Sequence, residues 1–188
     1  NRHDNVGQTY MAGDQEINDT YDLLSKGFPK WNMTSVELRA TILEKIADLY
    51  ENNTLKIMVL LIREAGKTIP DAIAEIREAV DFCRYYAVQA RLHFKKKDLQ
   101  GPTGEHNYLF LEGHGIFACI SPWNFPIAIA AWKAAPAMAF GNAIVLKPAS
   151  QTPASAIALT KIISEQKDIP EGLFNSNLYF FRCNCAVK

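Results

Sequence analysis

Two short apolar runs, Ile116-Phe-Ala-Cys-Ile120 and Ala143-Ile-Val-Leu-Lys147, bracket a longer alanine-rich one from Ile127 to Phe140. The short runs have strand length, and the long one has helix length. Ser121-Pro122 ends the first run, because Pro122 has no N–H to give a sheet ladder. Pro126 suits the first position of the middle helix, where a missing N–H costs nothing. Gly141-Asn142 offers a left-handed stop, Pro148 to Thr152 a second loop, and Pro153 the start of another helix reaching about Gln166. Strand, helix, strand, helix at this spacing predicts a parallel unit with a right-handed crossover.

Upstream the period changes to that of amphipathic helices. Asn1 to Asp19 is polar and reads as an irregular lead-in, and Ile17 to Lys26 as a weak helix. Thr34 or Ser35 is an N-cap for a helix from Val36 to Tyr50, which Asn52-Asn53 breaks. Thr54 to Ala65 is a second helix with Gly66 as its stop. Pro70 starts a third, running to about Leu92, with Ile73, Ile76, Val80, Cys83, Tyr86 and Ala87 on one stripe. Glu75, Arg77, Glu78 and Arg84 read as its solvated, mutually paired face. Lys95-Lys96-Lys97 reads as a solvated helix end. Asn107 to Glu112, Gly113-His-Gly115 and Ile116 to Ile120 read as strand, turn and strand.

In parallel sheets, ligands bind outside the carboxyl ends of the strands. The two loops leaving those ends carry Ser121, Asn124, Lys147, Ser150 and Gln151. Two readings of Asn124 stand side by side. Its amide on a proline-stiffened loop suits a carbonyl or developing oxyanion, and its side chain equally suits a cap for the helix beginning near Pro126. Lys147 reads either as a cation for a ribose hydroxyl or phosphate, or as a solvated strand end.

Composition narrows the field. The 188 residues hold 20 Lys and Arg against 20 Asp and Glu, so charge gives no footprint for nucleic acid. No apolar run has membrane-spanning length, since Lys133 and Pro136 interrupt the longest. The start carries no signal-peptide pattern. Of four cysteines, Cys83 and Cys119 lie in apolar patterns and read as buried free thiols. Cys183-x-Cys185 has no second pair at metal-ligand spacing. This usage points to a reducing cytoplasm.

Several motifs in one order are far more specific than any single loop. Ile120-Ser-Pro-Trp-Asn-Phe-Pro126, Gly141-Asn142, Lys147-Pro-Ala149, Gln151-Thr-Pro153 and Ser155-Ala156 resemble the aldehyde dehydrogenase superfamily. Trp31 to Leu49 with Arg39 to Leu43, Arg63-Glu-Ala-Gly-Lys-Thr68 and Ala74 to Ala87 continue the likeness. The last segment, with Gly101 to Glu105, resembles the pyrroline-5-carboxylate dehydrogenase domain of bifunctional proline-utilisation proteins. The resemblance covers roughly residues 5 to 175.

The resemblance implies an α/β fold: a partial Rossmann-like parallel sheet with N-terminal helices and a β-hairpin. It also implies an NAD(P)-dependent oxidation of an aldehyde, glutamate semialdehyde being the expected one. Asn124 matches the family's oxyanion-stabilising asparagine, and Ile120, Ser121, Pro122 and Trp123 the segment lining the cofactor cleft. Lys147 matches the lysine on the adenosine ribose. Ser150 stands where many NAD-preferring relatives have a glutamate, which leaves NAD and NADP both open. The hairpin near Gly113 matches part of the family's oligomerisation element.

The family's thiolate nucleophile and general-base glutamate come from motifs well beyond Lys147, and neither motif is present. Ser176 to Lys188 matches nothing in the family pattern and reads as a shifted frame or truncation. The expectation is a partial NAD(P)-binding domain over residues 1–175 with an unmatched tail over 176–188. Such a chain is expected to be inactive alone and, with its unpaired sheet edges, to form a homo-oligomer or pair with a complementing fragment. A self-associating remnant and a residual nucleotide-binding module are the alternatives.

Overall fold

The computed structural model describes residues 6–164, 174–175 and 179–182. In chain order its elements are β1 (Gln8–Met11), α1 (Asp14–Asn32), α2 (Val36–Asn52), α3 (Thr54–Ala65) and α4 (Ile69–His93). They continue with β2 (Lys97–Leu99), β3 (Asn107–Leu109), β4 (Ile116–Ile120), α5 (Ala128–Ala139), β5 (Ala143–Lys147), α6 (Pro153–Ser164), β6 (Phe174–Asn175) and β7 (Tyr179–Arg182).

The central sheet has strand order β4-β5-β6 and is parallel throughout. Ile120 lies opposite Lys147 at its carboxyl end, and Ile116 opposite Ala143 at the other. α5 is the crossover helix, as its alanine-rich pattern predicts. Ala128, Ala130, Ala135 and Ala139 are all buried. The small side chains let α4 pack against α5 on one side and α2 on the other. α4 answers with Ala72, Ala79, Ala87 and Ala90, each fully buried. The core is therefore built on close helix contact filled by Ile42, Leu43, Ile46, Ile57, Leu61 and Ile76.

Local chemistry sets the helix ends. The Ser35 hydroxyl accepts from Leu38 N–H at 3.3 Å and opens α2. Thr68 does the same for α4 through Asp71 N–H, with Pro70 in the first turn. Gly66 closes α3 in the left-handed conformation. Trp31 lies in the last turn of α1, and its indole N–H donates to the Met138 carbonyl at 3.0 Å, pinning that helix to α5.

The amino end of the sheet is locked by two asparagines. Asn142 Oδ1 accepts from His114 and Gly115 N–H, and its amide nitrogen donates to the Ala137 carbonyl. Asn32 Oδ1 accepts from Gly113 N–H. Beside them Arg39 is buried, donating to the Asn32 carbonyl at 3.2 Å and lying over the Phe94 ring. Burial pulls its pKa down. The carboxyl end of α1, where that carbonyl lies, favours a cation.

Several expectations are corrected. The hairpin joins β2 to β3, pairing Lys97 with Leu109 and Leu99 with Asn107, and not residues 107–112 to β4. Lys97 is thus a strand residue, and Lys96 sits over the Tyr108 ring. The described part of the lead-in is not irregular throughout: β1 pairs antiparallel with β7, Gln8 opposite Arg182, which gives part of the unmatched tail a strand. α1 begins at Asp14 and carries Pro29 within it. Finally, α5 begins at Ala128, so Pro126 precedes the helix instead of occupying its first position. The Cys183 and Cys185 readings fall outside the described residues.

Candidate functional site

The two loops that carry the polar candidates leave one edge of the sheet. Ser121 N–H donates to the Lys147 carbonyl at 3.1 Å, one step beyond the last strand pair, so the first residues of both loops are hydrogen-bonded together. Ile120 closes β4 and is exposed, and Lys147 closes β5 and is half-buried. Ser121 is buried, Pro122 half-buried, and Trp123, Asn124 and Ser150 are exposed. The carboxyl end of the sheet thus sets Ile120 and Ser121 beside Lys147, and Pro122, Trp123, Asn124 and Ser150 follow in the two loops. Lys133 of α5 reaches back to donate to the Ile120 carbonyl.

Asn124 does not cap α5. That work falls to Glu75 of α4, whose Oε1 accepts from Ile127 N–H at 2.9 Å and Ala128 N–H at 3.3 Å. Glu75 is therefore not on a solvated face; it is 1% exposed. Its other oxygen has no donor in hydrogen-bond alignment, but Lys67 Nζ stands 3.0 Å away as an ion-pair partner. Lys67 also lies 3.9 Å from the centre of the Phe125 ring, next in sequence to Asn124. With Glu75 in that place, the capping reading of Asn124 is set aside.

The second loop is held in the same way. Glu64 near the end of α3 accepts from Ala154 N–H at 2.7 Å through Oε1, and from Ser155 N–H and Oγ–H through Oε2. Each helix of the parallel unit thus starts on a carboxylate sent from the N-terminal helices, favourable both as hydrogen bonding and for the helix dipole. In these two loops, two buried hydroxyls, Ser121 Oγ and Thr152 Oγ1, have no hydrogen-bond partner among the described residues. Thr152 precedes α6 and would ordinarily cap it, but Glu64 holds the donors.

Neither described cysteine can serve as a thiolate. Burial pushes the Cys83 thiol up to about 12, with Arg84 opposing weakly, and Cys119 up to about 11, with Lys133 opposing. A nucleophile needs the shift in the other direction. Both folded-state values lie above the ordinary value of 9.0, so these groups leave stability flat below pH 9 and lower it as pH rises toward 12. Iodoacetamide at pH 8 is expected to leave the peptides containing Cys83 and Cys119 unmodified in the folded chain and to label both in guanidinium. Native-state labelling of either at the rate of a free thiol would restore it as a candidate.

The family model described as "Aldehyde dehydrogenase family" matches residues 1–177. The bifunctional protein PutA of Klebsiella aerogenes is 41% identical over 170 residues, covering 90% of this chain and 12% of that protein. The 1-pyrroline-5-carboxylate dehydrogenase of Bacillus pumilus (strain SAFR-032) is 36% identical over 170 residues, 90% of this chain and 33% of that enzyme. Among solved structures, a bifunctional proline utilization A protein superposes with TM-score 0.84 at 41% identity, over 88% of this chain and 17% of that one. Lactaldehyde dehydrogenase gives 0.80 at 33% identity, over 88% and 35%. The chain spans between about an eighth and a third of the length of these curated relatives. No helix among the described residues is long and apolar enough to cross a membrane. With the two motif loops hydrogen-bonded together at the carboxyl end of one sheet and the likeness running through nine-tenths of the sequence, the chain belongs to the aldehyde dehydrogenase family.

Proposed function

We propose that this chain forms the carbonyl-holding and ribose-facing edge of an NAD(P)-dependent aldehyde dehydrogenase site, with glutamate semialdehyde as the aldehyde. The observation that carries the reading is the bond between Ser121 N–H and the Lys147 carbonyl, which makes two loops one surface. The substrate choice is supported by relatives named for pyrroline-5-carboxylate oxidation and proline utilisation.

The residues present fit a dinucleotide at its ribose better than at its phosphates. The half-buried Lys147 and the exposed Ser150 are residue types that suit sugar hydroxyls. The N-termini of α5 and α6, where a phosphate would seek backbone N–H groups, already hold Glu75 and Glu64. Bound nicotinamide would supply hydride acceptance. Asn124 would donate its amide N–H to the aldehyde oxygen, an interaction that strengthens as the oxygen gains charge. Ile120 and Trp123 would wall the cleft against water. The nucleophile and the water-activating base would come from outside these residues, on further sequence or on a complementing chain, and the chain would act in the cytoplasm. The half-exposed run Tyr108 to Leu111 favours a second property beside this one, self-association through the β2–β3 ribbon.

Titration with NAD+ and NADP+ tests the reading. Saturable quenching of tryptophan fluorescence is expected at millimolar cofactor, lost in Lys147→Ala and kept in Asn124→Ala. In an enzyme containing this chain, Asn124→Ala should lower kcat by about 10²–10³, the cost of one oxyanion donor. Absence of saturable binding, or full binding by Lys147→Ala, would reject the reading.

A further inference from the structure

We propose that Lys67 and Glu75 are positioning residues for Asn124: a buried ion pair at the α3–α4 corner that clamps the carboxyl-terminal side of the Asn124 loop. The proposal rests on the reading of Asn124 as the carbonyl-holding amide and adds what holds that amide in place.

The clamp begins with a helix end. Gly66 turns left-handed, and Lys67 N–H returns to the Leu61 carbonyl at 3.2 Å, which fixes where the Lys67 side chain starts. That side chain is 13% exposed, and the Glu75 carboxylate it meets is 0% exposed. Such a pair is shielded from salt and solvent. Glu75 grips the carboxyl-terminal side of the loop through the N–H groups of Ile127 and Ala128. Lys67 presses its ammonium on the Phe125 ring. The amino-terminal side is tied by Ser121 N–H to β5. Only Pro122 to Asn124 is left between these anchors, and Pro122 is itself restricted.

The charges are matched to that task. A buried charge without a partner is costly, and Glu75 has Lys67 as its partner at 3.0 Å. The Lys67 ammonium keeps Glu75 paired while satisfying its own charge on Phe125. Both contacts of the loop therefore depend on one lysine, and that lysine reaches neither the sheet nor the edge residues Ile120 and Lys147 through any of them.

The test uses the 188-residue chain, with hydrogen exchange and the NMR signals of the Asn124 side-chain amide as readouts. Lys67→Met/Glu75→Gln keeps shape and removes both charges, and Lys67→Arg keeps the cation. In the double variant, exchange over residues 122–128 should rise about fivefold or more, while α2 stays as protected as before. The Asn124 amide signals should broaden or split. Lys67→Arg should preserve a single narrow pair. Unchanged exchange and an unchanged Asn124 signal in the double variant would overturn the proposal. So would a uniform rise across α2, α4 and α5, which marks a merely structural pair. Cofactor titration of the unaltered chain runs beside these. A clamp response without cofactor binding rejects the functional reading alone, and binding without a clamp response rejects the clamp alone.

Discussion

Gly113→Ala is expected to lower stability by about 3 kcal/mol, the upper end of what overpacking costs, read as a shift of the urea midpoint at unchanged slope. The added methyl would run into the Gly141 carbonyl oxygen and come within 2.7 Å of its carbon and 3.0 Å of Asn32 Oδ1. Two of those atoms are backbone, so no rotamer change relieves the clash. The loop before β4 or the turn after α5 has to move. Either movement pulls on the Asn142 and Asn32 hydrogen bonds that lock the amino end of the sheet. Gly104→Ala is the control. Its φ of 94° strains an alanine, but nothing lies within 4 Å of the new methyl. Strain alone should cost about 1 kcal/mol there. A loss at Gly113 no larger than that at Gly104 would show that the loop or the turn gives way to the methyl and that close backbone approach is not what makes Gly113 necessary.

The parts of the fold that periodicity controls were legible. The strands at 116–120 and 143–147 and the helix between them follow from run length and punctuation, because a parallel strand is apolar on both faces. The hairpin was not. Residues 107–112 and 116–120 flank a glycine turn in a way that suggests pairing, but β4 already spends one edge on β5, and the ribbon closes on Lys97–Leu99 across a longer loop. Nothing local distinguishes a polar triplet such as Lys97-Asp-Leu99 from loop. Likewise β1 finds its partner at residues 179–182, a separation that no local pattern reports.

The candidate site divides along the same line. The Asn124 and Lys147 loops were readable because strand ends are marked in sequence. The carboxylates that hold them were missed, though each left a trace. Glu75 sits at the spacing of Ala72, Ile76 and Ala79, inside the apolar stripe and not opposite it. A carboxylate in such a stripe requires a buried partner. Glu64 lies near the carboxyl end of α3, where the helix dipole disfavours an anion. Its placement makes sense only if it serves a different helix, and the N–H it takes, that of Ala154 in the first turn of α6, comes some ninety residues later.

Removing that service carries the second large effect. Glu64→Ala strips three charge-assisted hydrogen bonds from the first turn of α6, at Ala154 N–H, Ser155 N–H and Ser155 Oγ–H. Bonds to a charged acceptor contribute about 1.5–3 kcal/mol each in isolation, but the loss should be smaller because a substitute is waiting. Thr152, just before the helix, has a buried hydroxyl without a partner and is of the residue type that caps helices. Once Glu64 is gone the hydroxyl can take a freed N–H, so the single variant should lose about 2 kcal/mol. Thr152→Val alone removes a group that bonds to nothing and should be neutral within about 0.5 kcal/mol. The pair together should lose about 4 kcal/mol, more than the sum, because the substitute is then absent too. Urea denaturation of the four proteins closes this cycle. Strict additivity would mean that Thr152 never takes over, and a loss under about 1 kcal/mol for Glu64→Ala would mean that water caps α6 as well as the carboxylate does.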